Sequence, residues 1–249
     1  MLEIMKDTQL GLGTWISIGD PCVTEIVSQF GFGWLLFDME HGCVEPSGIV
    51  DNLRACSSSD VTRIVRVGEP DPHLIGHVLD YGADGIMVPH ISDAETAARI
   101  VRFMRYPPKG ERGLSTSVRA FKYGMNVPED LSEYPKPLLF VQIEDLDGVV
   151  NADMIAAVDG VDVLFVGPRD LGLDLSVRKD SIGFDDALAR VADAALSNGK
   201  YAGILMRNTS DLKKYQKMGF SVIAAGSDMG MLKSGYKGLM DSMDGHLEK

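Results

Sequence analysis

Residues 62–105 read TRIVRVGEPDPHLIGHVLDYGADGIMVPHISDAETAARIVRFMR, and this stretch decides the fold. It contains one unit twice: an apolar run (62–67, then 85–90) followed by a stretch of helical periodicity (near 71–81, then 93–105). Short runs rich in Val and Ile, without polar alternation, are strands buried on both faces, as in a parallel sheet. Parallel neighbours need a crossover, and the intervening helix supplies it.

Working outward, similar runs occupy 10–17, 34–39, 137–143, 161–167, 201–206 and 221–226. Helical stretches lie between and after them, near 21–30, 46–57, 148–158, 184–198, 208–218 and 228–243. Eight βα units in 249 residues predict an α/β chain closed into a single (β/α)8 barrel, one domain over 1–249, rather than an open doubly wound sheet. One connection breaks the rhythm. Residues 106–136 are too long and too basic for a plain turn, which suits a functional loop or an oligomer contact.

Composition narrows the partners. A formal net charge of −12 repels nucleic acid and anionic membrane, while leaving room for a local cationic pocket that takes a small anion. Cys22, Cys43 and Cys56 are odd in number and form no CxxC pair, as expected of a reducing cytoplasm. Residues 1–7 carry Glu3, Lys6 and Asp7 and no apolar run, so no secretory leader is expected. No apolar run is long enough to span a bilayer.

In a barrel of this kind the chemistry gathers where the strands end and the βα loops begin. Those positions hold Asp38, Glu40 and His41 after the second run and Arg66 in the third. After the fifth and sixth runs they hold Gln142, Glu144, Arg169 and Asp170. Glu144 and Asp170 are a pair of hard oxygen donors suited to Mg²⁺ or Mn²⁺, which leaves sites for water and substrate. Each is equally explained as an acid in the first turn of a helix. His41, among carboxylates, is a natural general base, although a lone histidine is more often a solvated loop residue. Arg66 either pairs with a carboxylate such as Glu144 or clamps a developing enolate. Gly167-Pro168 bends the chain and could aim backbone amides at a substrate carboxylate. The lysines fall in expected loops, helices or tails, so a Schiff base has no residue to form on, and carbonyl activation passes to a metal.

Taken in order, FDMEHG (37–42), LDYGADGIMVPH (79–90), RYPPKGERG (105–113), VQIED (141–145) and VGPRDL (166–171) resemble the HpcH/HpaI aldolase family. The likeness runs from GLGTW (11–15) to GSD (226–228). It implies a barrel of the phosphoenolpyruvate/pyruvate type that cleaves 4-hydroxy-2-oxo acids to pyruvate and an aldehyde with a divalent metal (Mg²⁺, Mn²⁺ or Co²⁺). The resemblance makes His41 the base, with Asp80 raising its basicity and Asp38 as a second candidate for that support. Arg66 stabilises the enolate, and Glu144 and Asp170 hold the metal. Gln142, Gly167, Pro168, residue 169 and Trp15 contact substrate. Position 169 is usually small in the family and is Arg here, which bears on substrate choice. The family also implies a homohexamer of swapped dimers, with the C-terminal helix exchanged and 106–136 lining a neighbour's pocket. Competing readings are a malyl- or citramalyl-CoA type acyl-CoA lyase, a phosphate-binding isomerase with a weak cradle at Ala225-Gly226-Ser227, and a non-catalytic barrel binding protein.

Overall fold

The computed structural model describes residues 10–131 and 134–244. Eight parallel strands close on themselves in chain order: β1 (Gly11–Ile16), β2 (Trp34–Asp38), β3 (Thr62–Arg66), β4 (Gly85–Val88), β5 (Leu138–Ile143), β6 (Val163–Val166), β7 (Tyr201–Met206) and β8 (Phe220–Ser227). Each expected strand is present within two residues. Outside them lie α1 (Pro21–Val27), α2 (Ile49–Ala55), α3 (Pro72–Asp80), α4 (Ala94–Met104), α5 (Leu146–Val150), α6 (Ala152–Ala156), α7 (Pro168–Val177), α8 (Phe184–Ser197), α9 (Leu212–Lys217) and α10 (Asp228–Asp244).

Two helical expectations change. The stretch 148–158 is two short helices, α5 and α6, hinged at Asn151. Helix α7 was not expected, because Gly167-Pro168 reads as a turn. In fact Pro168 stands in the first turn of α7, where its missing N–H costs nothing. Leu171 and Leu175, one turn apart, are the buried stripe that holds the helix down.

Side chains alternate inward and outward along each strand. Outward residues such as Leu35, Phe37, Val65, Val141 and Ile204 join the helices in the outer core. Inward residues form a separate core inside the barrel, made of Trp15, Trp34, Leu36, Ile64, Met87, Phe140, Val163, Phe165, Val222 and Ala224. Trp34 fills the centre so fully that a Cβ at Gly13 would lie 2.2 Å from its ring. Only glycine fits there. Going up the barrel, the inward row turns polar. Trp34 and Leu36 lead to Asp38, Ile64 to Arg66, and Phe140 to Gln142 and Glu144. Apolar layers below thus hold polar groups at the C-terminal mouth.

The described part of 106–136 packs on the C-terminal end of α3. Buried Arg112 bonds Asp80 at 2.7 Å and stacks over Tyr106, and Arg119 donates to the Tyr81 carbonyl. Helix α10 packs mainly on β1 and β8 and stands off from α1, leaving an apolar groove of about 650 Å³ between them. No helix among the described residues is long and apolar enough to cross a membrane.

Candidate active site

The site starts from strand register. Asp38 and Arg66 are direct partners across β2 and β3, and both lie on the inward row. Their pairing is bidentate: Arg66 Nε and Nη2 donate to the two Asp38 oxygens at 2.9 and 2.7 Å. Nη1 lies 2.8 Å from Glu40. The guanidinium also rests on the Trp15 ring, whose Nε1–H donates to Asp38 at 3.3 Å. Burial alone would raise the Asp38 carboxyl, but the hydrogen bonds and charge of Arg66 outweigh it and hold the group below its usual range. Arg66 therefore pairs with Asp38 and Glu40, not with Glu144. Two of its five N–H groups are hydrogen-bonded to Asp38 and the Glu40 ion pair holds a third nitrogen, so the guanidinium keeps donor capacity beyond these partners.

A depressed carboxyl contributes stability at neutral pH that is lost as pH falls through its folded pKa. Asp38→Asn keeps one acceptor oxygen but leaves Glu40 as the one charge paired with Arg66 among the described residues. It should cost about 3 kcal/mol, the low end for breaking a buried pair. Urea unfolding at pH 7 measures the loss, and the variant's stability should fall less steeply in acid than wild type.

On the other flank, Glu144 sits above Gln142 on β5. Its carboxylate accepts from Gln142 Nε2 at 3.0 Å and from the His90 amide at 3.2 Å. Burial, reinforced by the charges of Asp170 and Glu40, pushes its pKa up, with His90 opposing. A side chain at position 167 would collide with it, since a Cβ on Gly167 would lie 2.1 Å from Glu144 Oε1. Asp170 lies beside it in the first turn of α7. A buried, proton-hungry carboxylate between two other acids is the environment a divalent cation relieves, and both donors are hard oxygens. The residues fit such an ion.

The HpcH/HpaI aldolase/citrate lyase model matches residues 11–234. The chain belongs to that family. The 5-keto-4-deoxy-D-glucarate aldolase of Klebsiella pneumoniae subsp. pneumoniae is 35% identical over 237 residues, covering 94% of this chain and 92% of its own. A solved HpcH/HpaI aldolase/citrate lyase family protein from Burkholderia cenocepacia J2315 superposes with TM-score 0.88 at 31% identity, over 96% and 97% of the two chains. The structure of macrophomate synthase does so at 0.82 and 25%, over 96% and 87%. The chain is accordingly an aldolase, a carbon–carbon lyase.

Within the aldolase the expected residues scatter unevenly. Arg66, Asp38, Gln142, Glu144 and Asp170 meet at the mouth. His41 is there too, with its side chain 71% exposed and Nε2 3.6 Å from Glu40. Asp38 reaches His41 through the backbone N–H at 3.2 Å, not the imidazole. Its carboxylate is taken by Arg66, so it shapes the loop rather than supporting the base. Asp80 does not meet His41 within one chain. It is the last residue of α3, and a barrel helix ends at the opposite pole from the mouth. There it pairs with Arg112. Trp15 is buried beneath Arg66 rather than lining an open surface. The Gly167 amide is engaged by the Ile143 carbonyl at 3.4 Å and Pro168 has none. The amides left for an anion are thus those of Arg169 and Asp170 in the first turn. The Ala225-Gly226-Ser227 stretch makes no phosphate cradle. Ser227 Oγ accepts from the Gly230 amide, and the Asp228 carboxylate occupies the amides of Ser17 and Ile18.

Three mouth residues escaped the sequence assignment of roles. Glu40 bridges Arg66 and His41, His90 adopts a left-handed φ of 55° between Glu40 and Glu144, and Arg207 follows β7. Arg207 obeys the strand-end rule that found the others.

Proposed function

We propose that this aldolase reversibly cleaves a 4-hydroxy-2-oxo acid to pyruvate and an aldehyde, with a divalent cation held by Glu144 and Asp170. The observation that carries the reading is the Arg66 guanidinium, fixed by Asp38, Glu40 and Trp15 at the mouth where Glu144 lies buried. The cation supplies Lewis acidity toward the oxygens of the 2-oxo acid. The first-turn amides of α7 and Gln142 orient the substrate's carboxylate end. His41, with Glu40 beside it, takes the proton of the C4 hydroxyl. The C3–C4 bond then breaks, the aldehyde leaves, and its bonding electrons pass into the enolate of pyruvate. The free N–H groups of Arg66 stabilise that charge. Protonated His41 returns the proton to C3, giving pyruvate.

The resident partners are a 2-oxo acid and an aldehyde. The unpaired cysteines support a cytoplasmic setting. The family match over 11–234 supports one catalytic domain over 1–249. We also propose a homo-oligomer in which a second copy fills the groove between α1 and α10. Phe30, Ile26, Met231, Tyr236 and Leu239 expose apolar surface on that groove, an unusual load for a lone chain. A hexamer built by exchanging α10 suits that surface.

The test is exchange of pyruvate's methyl protons with D₂O, followed by NMR, alongside pyruvate release across a panel of 4-hydroxy-2-oxo acids. Wild type should exchange, and Arg66→Ala should do so roughly 10²–10³-fold more slowly. Arg66→Lys, which keeps the charge but loses the planar fork, should fall between them. No exchange by the metal-loaded wild type overturns the proposal. Normal exchange in a destabilised Arg66→Ala makes Arg66 a purely structural partner.

A further inference from the structure

We propose that Arg169 and Arg207 form a second anion clamp at the barrel mouth, selecting aldehyde fragments that carry a carboxylate or phosphate at the end away from the carbonyl. The proposal rests on the aldolase reading above and names its substrate class.

Three observations carry it. The first is position. Strands β6 and β7 pair with Val166 opposite Ile204, so the residues just beyond them are neighbours: Arg169 in the first turn of α7, and Arg207 directly after Met206. The alternation that turns Gly203 and Leu205 into the barrel carries on to Arg207. The second is charge. Neither guanidinium makes a hydrogen bond or salt bridge among the described residues, and each lies close enough to feel the other. Partial burial first, and then the like charge of Arg169, hold Arg207 below its usual range, while Asp170 pulls the other way. Asp170 alone cannot neutralise both. Two neighbouring arginines without a protein partner, on a chain of net charge −12 where acids are plentiful, are explained by an anion that arrives with the substrate.

The third observation is which anion. Glu144 just after β5 and Asp170 after β6 lie between Arg66 on β3 and Arg207 beyond β7. The enolate end of the substrate turns toward Arg66, so the opposite flank receives the far end of the aldehyde fragment. A carboxylate and a phosphate both accept the planar guanidinium fork, and they share this chemistry.

The experiment runs the reaction as aldol addition of pyruvate to three aldehydes: succinic semialdehyde, glycolaldehyde phosphate and the uncharged butanal. Wild type should favour at least one anionic aldehyde over butanal by roughly 10²-fold in kcat/KM, each charge-assisted contact contributing about tenfold or more. The favoured anion tells carboxylate from phosphate. Arg169→Ala and Arg207→Ala should each shrink that ratio by about tenfold through KM, and the double variant should bring it near one. The lysine variants should keep part of it, and added salt should compress it in wild type. Both side chains are exposed, so the fold is not at stake. A wild-type ratio near one, or a double variant that keeps the preference, overturns the clamp. Proton exchange in D₂O by the same preparation separates the two readings. If wild type exchanges but shows no preference, only the clamp falls. If it fails to exchange, the aldolase reading falls with it.

Discussion

Exhaustive chelation should abolish pyruvate release, and Mg²⁺, Mn²⁺ or Co²⁺ should restore it. The expected loss is large, on the order of 10³-fold or more, because a Lewis acid supplies several kcal/mol of transition-state stabilisation that nothing else at the mouth replaces. The protein side can be tested separately. Glu144 is buried with its pKa raised, so in the metal-free chain its charge is a burden. The sign is fixed by linkage: the penalty is absent below the unfolded pKa of about 4.3, grows through the window up to the folded pKa, and is complete above it. Glu144→Gln should therefore unfold at higher temperature than metal-free wild type at pH 8, and the difference should vanish in acid. The same substitution should abolish cation binding by calorimetry, and wild-type affinity should weaken as pH drops through the raised pKa. Full activity in a metal-stripped enzyme, with a lysine adduct trapped by borohydride, would sink the metal reading.

Replacing His41 by Ala should lower kcat by about 10²–10⁴-fold, the usual loss of a general base, with fold and metal content unchanged. Its imidazole is solvent-exposed, and its closest ionic partner among the described residues is Glu40 at 3.6 Å. Hydrogen bonds of a catalytic base tighten when the substrate binds. Glu40→Gln should cut the rate less, since it orients the base rather than accepting the proton. His90 is the rival, 3.9 Å from the same Glu40 oxygen. A loss below about tenfold in His41→Ala, with a large one in His90→Ala, would transfer the role to His90.

The way these residues became visible differs from one to the next. The (β/α)8 barrel was legible because buried parallel strands leave an unbroken apolar signature, and eight of them joined by helical crossovers admit few closures. Glu144 and Asp170 were legible as acids after apolar strands. Arg207 obeys the same rule one residue beyond β7. Helix α7 was hidden because a Gly-Pro pair marks a turn and a helix start alike, and only the burial of Leu171 and Leu175 decides between them.

By itself the sequence determined the barrel, its strand order and the family, since these rest on local periodicity and on motifs in one order. It also placed Asp38, His41, Arg66, Gln142, Glu144 and Asp170 near the strand ends. Partners were decided only by the tertiary structure. Register across β2 and β3 gave Arg66 to Asp38 rather than Glu144, and the same contact took Asp38 away from the His41 imidazole. Asp80, though it belongs to the motif, went to Arg112 at the other pole, because a helix of nine residues carries its last side chain the length of the barrel. Ion pairing depends on which charges the closed sheet brings within about 4 Å, and that distance is set by register and curvature that no local stretch of chain encodes.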